Sequence, residues 1–389
     1  VHAPEPPLVS PVGVTAGAVS HSADLIRPRL LATGRRRVVL HAGVQINGAP
    51  HLGTNVMQTA VFLLARAARE RFGVAVRIRF GALDNAPYET RTCPGTGSLY
   101  ERSFREALGG ARVAGLVKHH YGGLFDELSA ATGVPYEVET YGDQQSTRAF
   151  REELLASLGL MDRLRWVLAP STGTVPVGLP CPRCGWSQKH GERTELLPSG
   201  PREARFAAVC LDHGPYTADI TPRSGTFVGL TTLHRNLVKE RVAARDDALP
   251  VIVKGADWAP GCRLLDEASL CWPGAVPPAR LLTPVVLSDS GAKLSKTLIR
   301  EGTTDLSGEA EPWMLDASVW PGTVGEYARL LLDLVARMLS EPRHFERGYT
   351  TREMARLIGR RPAAAGGGAG RPPGRPGNRD AAWARRTGR

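Results

Sequence analysis

Four short clusters in this chain carry reactive residue types at spacings that suit particular chemistry. Cys181-Pro182-Arg183-Cys184 is followed, after 25 residues, by Cys210-Leu211-Asp212-His213. Two knuckles with two-residue gaps offer four N/S donors, the set that structural zinc takes tetrahedrally. Gly185 and Gly214, just after the knuckles, suit the tight turns such a site needs. Four protein ligands leave no open coordination position, so a metal here is structural rather than catalytic. The other reading is a decayed site with free thiols. Cys93, Cys262 and Cys271 then read as packing residues rather than nucleophiles.

The remaining three clusters suit phosphate and sugar. Pro50-His51-Leu52-Gly53-Thr54 lies where a strand meets a helix. Free N–H groups and the positive dipole end of a helix favour phosphate there. Gly53 lets a ligand approach the backbone, and His51 can hydrogen-bond a phosphate oxygen; an ordinary turn with an exposed histidine fits the same residues. Lys293-Leu294-Ser295-Lys296-Thr297 follows the turn Ser288-Asp289-Ser290-Gly291. Two ammonium groups on one loop can close over a triphosphate and stabilise charge developing on pyrophosphate; the alternative is a solvated surface loop. Of the 49 basic residues only six are lysines (118, 189, 239, 254, 293 and 296), so a lysine pair is more informative here than in a lysine-rich protein. Lys254-Gly255-Ala256-Asp257-Trp258 ends a buried strand, at the edge where open α/β sheets bind ligands. Asp257 can hold ribose hydroxyls there, or cap a turn.

The elements that must position these clusters read as α/β. Val38-Val39-Leu40 opens a short apolar strand, and a helix over about 54–72 follows, with Met57, Val61, Leu64, Ala68 and Phe72 at helical spacing and Gly73 closing it. Val74, Val76, Ile78 and Phe80 alternate as a second strand. Strand, helix, strand in this order is the crossover unit of a parallel sheet. Further helices are predicted near 100–108, 123–132 and 146–158, and buried strands at 251–253 and 281–287. Tyr327, Leu330, Leu331, Leu334, Val335 and Met338 mark one amphipathic helix.

Length and composition set the frame. At roughly 100–200 residues per domain, 389 residues make about two domains or one large domain with an insertion. The net charge is +11, but eight Arg against one Asp in residues 360–389 supply seven of those charges, so the body is only mildly basic. That argues against a body built mainly for nucleic acid. No apolar run reaches the ~20 residues that span a bilayer, and Val1–Pro7 lacks a secretory pattern. Six cysteines exclude a disulfide scaffold and point to a cytoplasmic location, with no membrane partner. The expected organisation is a flexible leader at 1–36, the first half of a Rossmann-like domain at 37–174, a zinc-binding insertion at 175–222, the second half with the lysine loop at 223–300, a small helical segment at 301–360 and a disordered basic tail at 361–389.

His51-Leu52-Gly53, followed some 240 residues later by Lys293-Leu294-Ser295-Lys296, resembles the paired signatures of class I aminoacyl-tRNA synthetases, His-Ile-Gly-His and Lys-Met-Ser-Lys-Ser. Thr54 replaces the second histidine, Leu294 the methionine and Thr297 the last serine. Gly255-Ala256-Asp257 stands where that family carries its ribose-binding Gly-x-Asp. Ala42-Gly43-Val44 leading into Asn47-Gly48-Ala49-Pro50, Leu83-Asp84-Asn85, and the run Gly95–Phe104 are similar to the archaeal-type class I lysyl enzymes, which also carry a zinc-binding insertion. The resemblance covers about residues 37–300.

It implies an α/β Rossmann-like fold and ATP-dependent activation of an amino acid, lysine or a relative, to an aminoacyl-adenylate. It implies an ATP site of Asn47, Gly48, Pro50, His51, Gly53, Thr54, Gly255, Asp257, Lys293, Ser295 and Lys296, with His51, Lys293 and Lys296 catalytic and Mg²⁺ arriving with ATP. It also implies a substrate site at Gly43 and Asp84, the latter for the amino group or a side-chain ammonium, with an ordinary strand-end cap as the other reading of Asp84. Trp258 packs on adenine or belongs to the core. The lysyl family reads the anticodon with a sizeable helical domain, and only 92 residues follow the lysine loop. The expected acceptor is therefore a small molecule or carrier. A lysine-tRNA ligase reading only the acceptor stem, and an inactive RNA-binding derivative, are the alternatives.

Overall fold

The computed structural model describes residues 18–359 except 201, 297–298, 300–309 and 341–346. Its centre is a sheet of five parallel strands: β1 (Arg37–Val44), β2 (Ala75–Ala82), β3 (Tyr136–Thr140), β4 (Leu249–Gly255) and β5 (Ala279–Thr283). They lie in the order β5-β4-β1-β2-β3. The chain winds outward from β1 in one direction and then returns to add β4 on its other side. That is a Rossmann-like α/β arrangement, and its order reverses between β1 and β4.

The period-2 burial along β1 explains which face goes where. Val38, Leu40, Ala42 and Val44 pack into a core with helices α1 (Ala18–Thr33), α2 (Leu52–Phe72), α3 (Gly123–Thr132) and α5 (Val324–Ser340). His41 and Gly43 face the opposite side and line a cleft with α4 (Thr232–Ala244). Gly73, at φ +61°, ends α2 in the left-handed region and donates its N–H to Arg69 O at 3.0 Å.

Three expectations change. The flexible leader expected at 1–36 is helical from Ala18 to Thr33. Ile26 is buried in the main core, and Arg35 ties the following turn to Ala248 O and Ala244 O at 3.0 and 3.2 Å. Residues 1–17 lie outside the described residues, as does the tail at 361–389. The helix expected at 100–108 begins only at Phe104, capped by Ser103 Oγ, which accepts from Glu106 N at 3.2 Å. Before it, Leu99–Ser103 pairs antiparallel with Pro87–Thr92 across a turn at Gly97, and Tyr100 is buried. The strand expected at 281–287 divides at Pro284, which has no N–H to give a ladder. Val285–Leu287 leaves the main sheet and pairs with Gly348–Thr350.

The segment around the cysteine knuckles is antiparallel, with strands at Glu195–Leu197, Ala204–Cys210 and Gly214–Ile220. Helix α5 (Val324–Ser340) buries the residues that marked it as amphipathic, among them Tyr327, Leu331 and Leu334. It braces the start of α2, where Asn55 Nδ2 donates to Tyr327 Oη at 2.9 Å, and the short turn at Ala317–Val319 ahead of it adds Ala317 N donating to Pro50 O at 2.9 Å.

Candidate active site

The cleft opens at the reversal point between β1 and β4 and encloses about 740 Å³. Three connections converge on it. After β1, the turn through Asn47 and Gly48 leads to His51, which caps α2: its backbone is extended (φ −91°, ψ 166°) and its Nδ1 accepts from Thr54 N at 3.3 Å. After β4, a short 3₁₀ turn holds Asp257. After Val285–Leu287, a hairpin turn at Ser288–Ala292 sends the lysine loop back along the strand. Leu294 N donates to Val286 O at 3.0 Å, and the Leu294 side chain, 1% exposed, anchors the loop. Burying a leucine contributes roughly 1.5–3 kcal/mol, which fixes Lys293 and Ser295 at the cleft wall.

The electrostatics follow from this burial. His51 is 7% exposed, and burial, then the Lys296 and Lys293 ammonium groups, push its pKa from 6.5 down to about 3. It is a neutral imidazole at physiological pH. With Nδ1 accepting, Nε2 carries the proton and faces Thr54 Oγ1 at 3.2 Å. Lys296 donates to Gln45 O at 2.8 Å and to Gly48 O, and burial lowers its pKa to about 8. Lys293 pairs with Asp257. A Cβ on Gly255 would lie 2.5 Å from Asp257 Oδ1, so a side chain there would push that carboxylate out of its present position. Lys254, by contrast, points Nζ to Asn236 Oδ1 at 3.0 Å and lies over the Trp258 ring at 5.0 Å.

Of the residues expected in the site, Gly43, Asn47, His51, Gly53, Thr54, Gly255, Asp257, Lys293, Ser295 and Lys296 all line this cleft. Gly48 and Pro50 support it through their carbonyls instead. Thr297 lies outside the described residues. Asp84 is a correction: it does not line the cleft. It is 0% exposed, and its carboxylate accepts from Gly142 N at 3.1 and 3.2 Å and from Arg105 Nη1 at 3.3 Å. Burial raises its pKa, against the pull of Arg105. Its role is to tie β2 to the helix Tyr141–Ser146. Among the cleft residues that the sequence did not single out are Arg235 and Lys239 on α4. Thr232, Arg235, Asn236 and Lys239 do share one face of the helix, but His234, Glu240 and Arg241 make the rest of it polar as well, so no stripe stood out.

The cysteine knuckles meet away from this cleft. The ligand atoms of Cys181, Cys184, Cys210 and His213 all lie within 4.8 Å of one another, with Cys184 Sγ to Cys210 Sγ at 3.5 Å and Cys210 Sγ to His213 Nδ1 at 3.5 Å. Ligands at the ~2.3 Å zinc–sulfur distance of a tetrahedron stand about 3.8 Å apart, so the spacing and the donor set both fit zinc. Gly185 and Gly214 have φ of +77° and +72°, as the knuckle turns require.

No protein-family model matches the chain, and no curated protein does. Solved structures similar to it include a methionyl-tRNA synthetase from Mycobacterium tuberculosis bound by methionyl-adenylate, at 12% identity and TM-score 0.40, covering 81% of this chain and 66% of that one. A Leishmania major tyrosyl-tRNA synthetase is similar at 12% identity and TM-score 0.38, over 72% of this chain and 36% of that one. A tryptophanyl-tRNA synthetase from Aeropyrum pernix K1 is similar at 15% identity and TM-score 0.35, over 74% and 58%. The chain thus spans less than two thirds of the length of each. Likenesses this distant carry no functional weight, and the chemistry of the cleft is read from its own residues. Among the described residues no helix is long and apolar enough to cross a membrane.

Proposed function

We propose that this chain is an ATP-dependent ligase of the aminoacyl-tRNA synthetase type, which activates an amino acid as its adenylate. The observation that supports this most is the convergence of the His51 turn, Asp257 and the two loop lysines on one cleft at the reversal point of a parallel sheet. A triphosphate is the ligand for which a helix start, an imidazole and two ammonium groups are all complementary.

In this reading the amino acid carboxylate attacks the α-phosphorus of ATP, the bond to the β-phosphate oxygen breaks, and pyrophosphate leaves. His51 and the N–H groups at the start of α2 hold phosphate oxygens. Lys296 exchanges the carbonyls of Gln45 and Gly48 for the departing pyrophosphate, and Lys293 leaves Asp257 to do the same. Asp257, so released, holds the ribose hydroxyls. Mg²⁺ accompanies the ATP. Catalysis is then positioning plus stabilisation of charge on the leaving group. Cys181, Cys184, Cys210 and His213 would hold a zinc ion that fixes the fold of the inserted segment and takes no part in the step.

The acceptor we propose is a small molecule or carrier, and charging of a tRNA acceptor stem is the competing outcome. The lysine implied by the motifs loses its candidate partner in Asp84, which is buried and committed elsewhere. ATP–pyrophosphate exchange across the amino acids, with and without tRNA, tests the proposal. Exchange without tRNA is expected with one amino acid class, and Lys296→Met should slow it about 10²–10³-fold. No exchange with any amino acid or analogue refutes the adenylation step.

A further inference from the structure

The cleft continues past the reversal point, over β1 and β2 and beneath α4, and there its charges are paired unequally. Four carboxylates line it, and each has a partner. Asp257 pairs with Lys293 and Asp246 with Arg79. Glu240 receives both Arg280 nitrogens at 2.9 and 2.7 Å, and Glu139 accepts from Gln144 Nε2 at 3.1 Å. The cations are in surplus. Arg235 and Lys239 line the cleft and make no side-chain hydrogen bond or ion pair among the described residues. Arg235 is nevertheless 7% exposed, with a buried Nε that finds no acceptor and with the Tyr141 ring 5.8 Å from its Cζ. Lys239 Nζ stands so close to β2 that a Cβ on Gly81 would lie 2.5 Å from it. Burial, then the charges of Lys254 and Arg235, lower its pKa to about 7, against the pull of the Glu139 and Glu240 carboxylates. The two residues are four apart on one face of α4, within reach of a common ligand.

A buried cation without a counter-charge is unfavourable, and a fold keeps one where a ligand supplies the missing anion. A guanidinium fork matches a carboxylate in two parallel hydrogen bonds, and a neighbouring ammonium adds a third donor. A lysine side chain placed here would meet the Arg235 charge and a partly protonated Lys239, against one nearby acid, Glu139, that is bonded to a neutral amide.

We propose that Arg235 and Lys239 form the side-chain subsite for the amino acid, and that the substrate is an acidic amino acid whose distal carboxylate bridges them. The inference rests on the adenylation reading for the step that follows binding. Gly81 is the floor that leaves room for Lys239, and Gln144 and Glu139 form the neighbouring wall.

Calorimetric titration of the full chain with aspartate, glutamate, 2-aminoadipate, lysine and leucine, with and without a non-hydrolysable ATP analogue, tests this directly. At least one acidic amino acid is expected to bind at least tenfold tighter than lysine and leucine. Arg235→Gln and Lys239→Gln should each weaken that binding at least tenfold, leave affinity for the ATP analogue unchanged, and leave the melting temperature unchanged or raised, because each removes an unpaired buried charge. Lysine or leucine binding as tightly as every acidic amino acid overturns the proposal, as does a complete failure of acidic amino acids to bind. Variants that weaken the ATP analogue instead place the pair in the nucleotide site and also overturn it. Binding of an acidic amino acid without pyrophosphate exchange leaves the subsite standing and refutes adenylation. Exchange with lysine alone does the reverse.

Discussion

The buried neutral state of His51 makes a quantitative prediction about acid. Its pKa is about 3 in the folded chain against 6.5 for a free imidazole. Below pH 6.5 the unfolded chain binds a proton that the folded chain refuses, so stability is fully present above that pH and is lost as pH falls towards 3. Between pH 7.5 and 5.0 this one group should cost about 2 kcal/mol, at ~1.4 kcal/mol per pH unit once the unfolded imidazole is charged. His41 and His234, with pKa values of about 3 and about 4, add losses of the same sign, while buried Asp84, with its raised pKa, opposes them. The comparison that isolates His51 is His51→Asn. Asparagine still caps a helix well, so stability at pH 7.5 should change by less than ~1 kcal/mol. Urea unfolding of both proteins at pH 7.5 and 5.0 measures the difference. The wild type should lose about 2 kcal/mol more than the variant over that interval. Equal losses would mean that the imidazole is not held neutral by burial between the two loop lysines, and the electrostatic picture of the cleft would fail with it.

Metal analysis of the purified protein should find about one zinc per chain, and Cys181→Ser should lose it together with the fold of the inserted segment. Gly255→Ala forces a Cβ against the Asp257 carboxylate; it should break the pairing with Lys293 and raise the KM for ATP roughly tenfold, read from exchange kinetics. Asp84→Ala removes the acceptor for Gly142 N and Arg105. It should cost about 1–3 kcal/mol in urea unfolding while leaving amino acid binding intact, whereas loss of a substrate-binding carboxylate would weaken amino acid binding at little cost in stability.

The parts of the fold that were legible in the sequence are those fixed by local period or spacing. The helix α2 and its flanking strands follow from alternation and three- to four-residue repeats, and the cysteine ligands from two-residue gaps. What the sequence hid is held by distant partners. The helix at Ala18–Thr33 sits in a stretch rich in alanine with Pro28 inside it, and its hold on the body comes from Ile26 and from Arg35 reaching carbonyls more than 200 residues away. Leu99–Ser103 reads equally well as helix until its partner Pro87–Thr92 is in place. Asp84 ends a strand, as a ligand-holding acid would, but turns inward because Gly142 N, 58 residues on, waits for it. Arg235 and Lys239 are ordinary helix residues in one dimension. That they lack partners is a property of the assembled cleft.

The bracing of the histidine turn by Ala317 and Tyr327 fixes how little of the chain can be kept. A fragment ending after the lysine loop would retain the histidine turn, Asp257 and both loop lysines and still lose its backing, because Pro50 O and Asn55 would face solvent and the apolar side of α2 would be stripped. A unit that keeps this cleft therefore runs past the helix ending at Ser340 to Gly348–Thr350, the strand that pairs with Val285–Leu287 ahead of the lysine loop.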